Sequence, residues 1–420
     1  MPLEDMVIHS DLNSFYASVE IMLNPALRGK AVAVCGSTES RHGIVLAKSE
    51  LAKKAGVKTG MANWEARVAC PNLIMVPPQY DQYVKYSRLA HEIYYRYTDL
   101  VEPFGMDECW CAFRGREIHA ATGEVFRSVI DIAEDIRRSM REELGLTVSV
   151  GVAFTKVFAK LASDMKKPDA TTIITRNDFR QKVWPLPASD LLYIGHATTA
   201  KLARFGIRTI GDVAAMPPDF MKSLLGVNGL KLWSYANGTD ASRVCHKDFV
   251  SPIKSVGHGI TCSTDLHNAD EVWLVMLELS QDIGHRLRIH ELEANGVQIW
   301  IRGNDLYGKQ YQCRLEHNTR SPLEIAQAAF QLFVREYPWN TPVRAVTVRA
   351  INLVQQGQPL QSSMFWDADK AIRQDALDTA VEGIRSRFGK TAIRACCLLQ
   401  NLHMPDDGRD QVKMPGLMYQ

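Results

Sequence analysis

Apolar and polar positions fall into three successive textures along the chain. Met6-Val7-Ile8-His9-Ser10-Asp11 is a short apolar run that predicts a buried strand, and the residues through Leu23 continue it with helical spacing. Asn24-Pro25 and Arg28-Gly29-Lys30 break that pattern. Three short apolar runs follow, Ala31–Cys35, Gly43–Ala47 and Leu73–Val76, with predicted helices at Ser49–Ala55 and Asn63–Cys70 between them. Tyr80–Tyr97 predicts a long helix, Ala121–Glu143 another, Val148–Ala153 a strand and Lys156–Met165 a helix. That order suits an α+β sheet with helices on one face. From 171 to 236 the texture becomes short helices punctuated by glycine. A polar stretch, Asn237–Lys247, reads as a linker.

Beyond it the rhythm is strand–helix–strand–strand–helix–strand. Helices are predicted at Val272–Ile289 and Leu323–Tyr337, and strands at Gly296–Arg302, Gln310–Arg314 and Val343–Leu353. Residues 356–420 form a tail with a helical stretch at 367–388. No internal repeat or low-complexity segment stands out.

Composition narrows the class. With 420 residues, one to four domains are expected, and 46% hydrophobic residues suffice for ordinary packed cores. A net charge of +2 neither demands nor excludes a polyanionic partner, so the placement of lysine and arginine matters more. No run of eighteen apolar residues occurs, and no basic stretch leads into an apolar one, so neither a membrane span nor a signal peptide is expected. The nine cysteines follow no zinc spacing, and Cys109 and Cys111 read as core residues on one strand face. An odd cysteine count without a secretion signal fits a reducing cytoplasm.

The candidate chemistry centres on Val101–Cys111. Asp107 and Glu108 lie side by side between apolar residues. Such a pair is costly unless a cation meets it, and hard divalent cations prefer oxygen ligands. Asp11, ending the first strand, supplies a third carboxylate. Tyr-Ala-Ser-Val-Glu begins five residues after it, with Phe15 just before. In Lys156–Lys167, one helical stripe is apolar, and Lys156, Lys160 and Lys167 fall near another, as a polyphosphate site needs. Ile194-Gly195-His196 and Leu225-Gly226-Val227-Asn228-Gly229 each precede a helix, where glycines let backbone N–H groups approach a phosphate.

These stretches together resemble the Y-family of DNA polymerases, and most closely its bacterial branch. The resemblance implies a multidomain α+β right hand. The palm is 1–20 and 78–170, the fingers 21–77, and the thumb with its helix-hairpin-helix units 171–236. A linker at 237–247, a little finger at 248–355 and the tail complete it. It implies template-directed addition of deoxyribonucleoside triphosphates to a primer 3′ end, with low fidelity, translesion synthesis and no proofreading. Asp11, Asp107 and Glu108, helped by the backbone carbonyl of Leu12, would hold two Mg²⁺ ions. Tyr16 would exclude ribonucleotides and Phe15 would help form the sugar pocket, while Lys167 would contact phosphate. Gly195, Gly226 and Gly229 would meet the DNA backbone of a primer-template. Arg286, Arg288, Arg302, Arg344 and Arg349 are further cationic candidates. Gln361, Met364 and Phe365 resemble a sliding-clamp-binding peptide, with Ser362 where leucine is usual. A cytoplasmic monomer is expected.

Two departures from the family pattern stand out. Glu50 and Lys53 occupy positions that many members fill with tyrosine and arginine on the triphosphate. Lys53 remains a point-charge phosphate contact without the arginine fork. Glu50 would repel a triphosphate unless a lysine such as Lys48 or Lys54 pairs with it. Gly105 stands where serine is frequent. Three other readings compete: the catalytic subunit of an inducible mutagenic Y-family polymerase, a palm-fold nucleotide cyclase, and a catalytically dead DNA- or clamp-binding scaffold. The thumb glycines and Tyr16 argue against the cyclase, which must accept ribose. The intact acidic residues argue against the scaffold.

Overall fold

The computed structural model describes residues 6–36, 43–113, 118–120, 123–358 and 367–404. They divide into two compact units, 6–250 and 251–404. Among the described residues no helix is long and apolar enough to cross a membrane.

The first unit is built on a five-stranded sheet. Its order is Thr171–Ile174, Val148–Ala153, Val7–Leu12, Glu108–Ala112 and Val101–Pro103. Val7–Leu12 runs antiparallel to both neighbours, with Asp11 opposite Glu108, and His9 opposite Trp110 on one side and Gly151 on the other. Thr171–Ile174 returns parallel to Val148–Ala153 after the helix Lys156–Met165. Successive strand residues point to opposite faces. Ser10 accepts a hydrogen bond from Tyr94 of helix Tyr80–Tyr95, whereas His9 meets Ser163 of helix Lys156–Met165. Helices therefore cover both faces, not one as the element order implied.

A second difference lies at 118–128. The expected helix from Ala121 starts only at Val129, where Ser128 accepts from the Ile130 N–H. Ahead of it, Ile118–His119 and Val125–Phe126 pair as a small hairpin. The Ser128 N-cap fixes the start. Once started, the helix buries Val129, Ile132, Ala133, Ile136 and Met140 at helical spacing and closes at Gly145.

Residues 32–76 carry a separate three-stranded sheet with its own small core of Ala33, Cys35, Val45, Ala52, Val57, Ala66 and Cys70. From Phe179 to Ala236 the chain forms five short α-helices and one 3-10 turn. Gly195 and Gly226 precede His196–Ala203 and Val227–Ala236. Gly229 lies inside the latter helix and is buried. A Cβ there would meet the Met221 carbonyl at 1.9 Å, and its N–H already donates to Gly226. Close helix packing alone therefore requires glycine at this position.

The second unit has a four-stranded antiparallel sheet, in the order Ser255–Leu266, Val343–Gln355, Leu292–Gly303 and Gly308–Thr319. Ala269–Ile289 and Pro322–Glu336 pack on it. Helix Ala368–Phe388 is fastened to this unit through ion pairs. Arg288 and Arg320 both reach Asp375, and His285 meets Glu382. Leu398 and Leu402 close a small apolar cluster with Leu277 and Ala326. Two candidate DNA contacts are thus engaged inside the unit. Arg286 binds Asp282 and the Gly257 carbonyl, and Arg288 binds Asp375 and Asp378. Arg302 donates to the Leu306 carbonyl, while Arg349 is exposed.

Candidate active site

Asp11 and Glu108 lie opposite each other on adjacent strands, and on one face. Asp107 joins them through the backbone, since its carbonyl accepts from the Leu12 N–H at 2.9 Å. The turn before Asp107 passes through Gly105 at φ +90, a conformation a serine would adopt only with strain. The departure from the family pattern at this position is therefore matched by the backbone.

The acids are met by lysines of the helix on that face and of the residues just after it. Lys167 Nζ is 2.7 Å from Asp11 Oδ2 and 2.8 Å from Asp164. Lys160 Nζ is 2.6 Å from Glu108 Oε2, and Lys156 binds Glu102 at 2.6 Å. Burial pushes Asp11 up to about 7 against the pull of Lys167. Burial and the charge of Glu108 raise Asp107 to about 6. Burial also favours protonating Glu108, but His9 and Lys160 outweigh it and bring that carboxyl down to about 2. Lys167, in turn, is held charged above its usual range: Asp11 and Asp164 overcome its own burial. The short Asp11–Lys167 contact is therefore an ion pair, and the raised Asp11 records how costly its burial is.

Among the described residues, no three His, Cys, Asp or Glu side chains are set as a ready-made metal cage. The donor set nevertheless fits a hard divalent cation. It is all carboxylate, Asp11 is buried and the other two half-buried, and two of its members carry raised pKa values that a positive charge would relieve.

Tyr16 follows one helical turn after the strand. Its half-buried ring stacks on Tyr83 at 4.2 Å and an interplanar angle of 9°. Tyr80 stands edge-on to both rings. The Tyr16 hydroxyl donates to Met106 Sδ at 3.4 Å, beside Asp107. Tyr83 in turn donates to the buried carboxylate of Glu20, which also accepts from Gln79 at 2.7 Å. Phe15 is 3% exposed and lies behind Tyr16 in the core.

Lys53 is exposed, 4.0 Å from Glu50, and Glu50 accepts from Ser14 Oγ at 3.2 Å. Lys48 instead donates to Thr59, and Lys53 stands within ion-pair reach of Glu50. Gln361, Met364 and Phe365 lie outside the described residues.

Sequence reasoning missed three supporting residues. Asn13 donates to Ser149 and accepts from the Asp169 N–H, fixing the segment that carries Lys167. Tyr83 backs Tyr16, and its place at the start of a helix gave no sign of that. His9 touches Glu108; its spacing of two from Asp11 on a strand was the available signal.

Comparison with known proteins identifies the family. Residues 10–164 match the impB/mucB/samB family, and residues 253–364 match the C-terminal domain of that family. The chain is 45% identical to a DNA polymerase IV of Acetivibrio thermocellus, over 95% of this chain and 98% of that one. It is 36% identical to a DNA polymerase IV of Moorella thermoacetica, over 92% and 94% of the two chains. A DNA polymerase IV 1 of Bacillus subtilis is 34% identical, with 93% and 92% covered. Among solved structures, a chimeric Y-family DNA polymerase superposes with a TM-score of 0.72 at 23% identity, covering 84% of this chain and all of that one, which speaks for the fold. The family matches, the near full-length identity and the shared fold together show that this chain belongs to the Y-family of DNA polymerases, in its DNA polymerase IV group.

Proposed function

We propose that the chain extends primer 3′ ends through a two-Mg²⁺ site held by Asp11, Asp107 and Glu108, with Leu12 lending its backbone carbonyl. The enzyme is a DNA-directed DNA polymerase of the translesion class, and membership in this family implies a divalent metal. The identity of the ion, its number and its ligands are our reading. One observation carries it: carboxylates from two paired strands converge where lysine ammoniums already balance them. When bound, such ions stabilise the charge on the oxygens entering and leaving the phosphate under attack.

The chain's own residues do the rest. Lys167, released from Asp11, presents its ammonium to the triphosphate, and Lys53 adds a weaker point charge from the small sheet. Tyr16 closes the sugar pocket against a 2′-hydroxyl, its ring fixed from behind by Tyr83. Primer-template DNA is held through its phosphates at the helix starts after Gly195 and Gly226 and by exposed cations such as Arg349. Gln361, Met364 and Phe365 bind a sliding clamp, which raises the effective concentration of polymerase at the primer end. The enzyme acts as a cytoplasmic monomer.

Template-dependent primer extension by the purified chain tests this reading. Extension that follows the template base and stops on chelation of divalent ions supports it. Extension that ignores the template, or that proceeds in excess chelator, contradicts it. For the clamp, Phe365→Ala is expected to abolish clamp stimulation and leave clamp-free extension unchanged.

A further inference from the structure

His9 is fully buried. Its Nδ1 lies 2.9 Å from Ser163 Oγ. Its Nε2 is 3.3 Å from Glu108 Oε2, too poorly aligned for a hydrogen bond, and has no other polar partner. The edge of Trp110 fixes the ring from the side at 5.2 Å, and Trp110 is itself anchored by donating to the Lys156 carbonyl. A buried ring nitrogen without a hydrogen bond is costly. Here it lies beside one carboxylate oxygen of the acidic group, within reach of a small rotation.

The surrounding backbone is shaped to place His9 there. Its neighbour across the sheet is Gly151. A Cβ at Gly151 would fall 1.9 Å from the Ala159 carbonyl and 2.4 Å from the Ser163 nitrogen. Only glycine lets the helix come this close, and only at that approach does Ser163 reach the imidazole. His9 thereby joins three elements. They are the strand that carries Asp11, the strand that carries Glu108 and the helix that carries Lys160.

We propose that His9 is a positioning residue for Glu108, orienting its carboxylate toward the divalent cation through Nε2 while Ser163 fixes the ring through Nδ1. The proposal rests on the reading of Glu108 as a metal ligand. Groups that orient a ligand from behind commonly change metal affinity by about 10–100-fold when removed.

Direct Mn²⁺ binding, read by the paramagnetic resonance of free Mn²⁺, tests it without turnover, with melting temperatures measured in parallel. Glutamine places a donor near the position of Nε2, and asparagine near that of Nδ1. His9→Asn is expected to weaken Mn²⁺ binding at least tenfold and His9→Gln by less than about threefold, although both remove the imidazole. Wild-type affinity in folded His9→Asn overturns the proposal. So do equal losses in the two variants that follow their melting temperatures, since that is what a purely structural histidine would give. Should His9→Asn fail to fold, Ser163→Ala decides. A loss of about threefold or more supports the proposal, and an unchanged affinity overturns it. Glu108→Gln separates the two readings: if it leaves Mn²⁺ binding intact, the ligand assignment of Glu108 has failed, and the role of His9 falls with it.

Discussion

Lys167 Nζ sits 2.7 Å from Asp11 Oδ2. A cation therefore already stands on this carboxylate in the protein alone, and the same lysine is suited to a triphosphate. The pair reconciles two demands. Asp11, 6% exposed, needs a positive partner to remain ionised in the folded chain. The nucleotide needs an ammonium close to the same carboxylates.

Lys167→Ala is therefore expected to act on nucleotide binding more than on DNA binding. The KM for the incoming nucleotide should rise about tenfold or more, equivalent to ~1.4 kcal/mol for a lost charged contact. Steady-state kinetics at fixed primer-template concentration check this. An unchanged KM with reduced kcat would place Lys167 elsewhere in the reaction.

Tyr16 gives the second expectation. Its hydroxyl meets Met106 Sδ at 3.4 Å while its ring face rests on Tyr83. Tyr16→Ala should raise ribonucleotide relative to deoxyribonucleotide incorporation at least about tenfold, or ~1.4 kcal/mol of lost discrimination. Tyr16→Phe keeps the ring and should keep the selectivity. Single-nucleotide kinetics with both sugars measure the ratio directly.

A pH dependence follows from the buried acids. Asp11 is raised to about 7 and Asp107 to about 6, chiefly by burial. Both values lie above the ordinary carboxylate range of roughly 4, so between about pH 4 and 7 the folded state binds more protons than the unfolded one. These two groups make the metal-free protein less stable as pH rises through that window, the reverse of an ordinary salt-bridged carboxylate. A divalent cation must displace those protons. The stabilisation that Mg²⁺ gives should therefore be small near pH 5 and grow to its full size by about pH 8. Thermal melts with and without Mg²⁺ across this range check both signs.

Much of this site was legible in sequence because it depends on local order. An apolar strand ending in Asp11, an acidic pair at Asp107 and Glu108 and a lysine-bearing helix are each local features of one short stretch. What stayed hidden depends on contacts between elements distant in sequence. His9 finds Ser163 across 154 positions, and Tyr83 is 63 positions from Glu20. No periodicity encodes such pairs. Two of the candidate arginines, Arg286 and Arg288, turned out to be engaged for the same reason. Arg288 looked like surface charge until Asp375 and Asp378, far along the chain, closed over it. The hairpin at 118–126 was lost because a two-residue strand carries too few positions for alternation to register.

The fastening of helix Ala368–Phe388 gives a further expectation. Asp375 accepts from both Arg288 and Arg320, whose side chains are only 10% and 14% exposed. Asp375→Asn leaves the shielded Arg320 without its carboxylate and Arg288 with Asp378 alone. A loss of ~1–3 kcal/mol in unfolding free energy is expected, the usual cost of an unsatisfied charged group. Chemical denaturation of the full chain measures it, and a change below ~0.5 kcal/mol would mean that the apolar contacts of Leu398 and Leu402 hold the helix instead.

The central claim is that Asp107, with Asp11 and Glu108, holds the cations on which nucleotide transfer depends. Single-turnover incorporation by Asp107→Asn, on a primer-template that the variant is shown to bind, tests it most directly. The expected result is DNA affinity close to wild type with incorporation slowed at least about a thousandfold, ~4 kcal/mol of lost transition-state stabilisation. Incorporation within about tenfold of wild type would contradict the assignment.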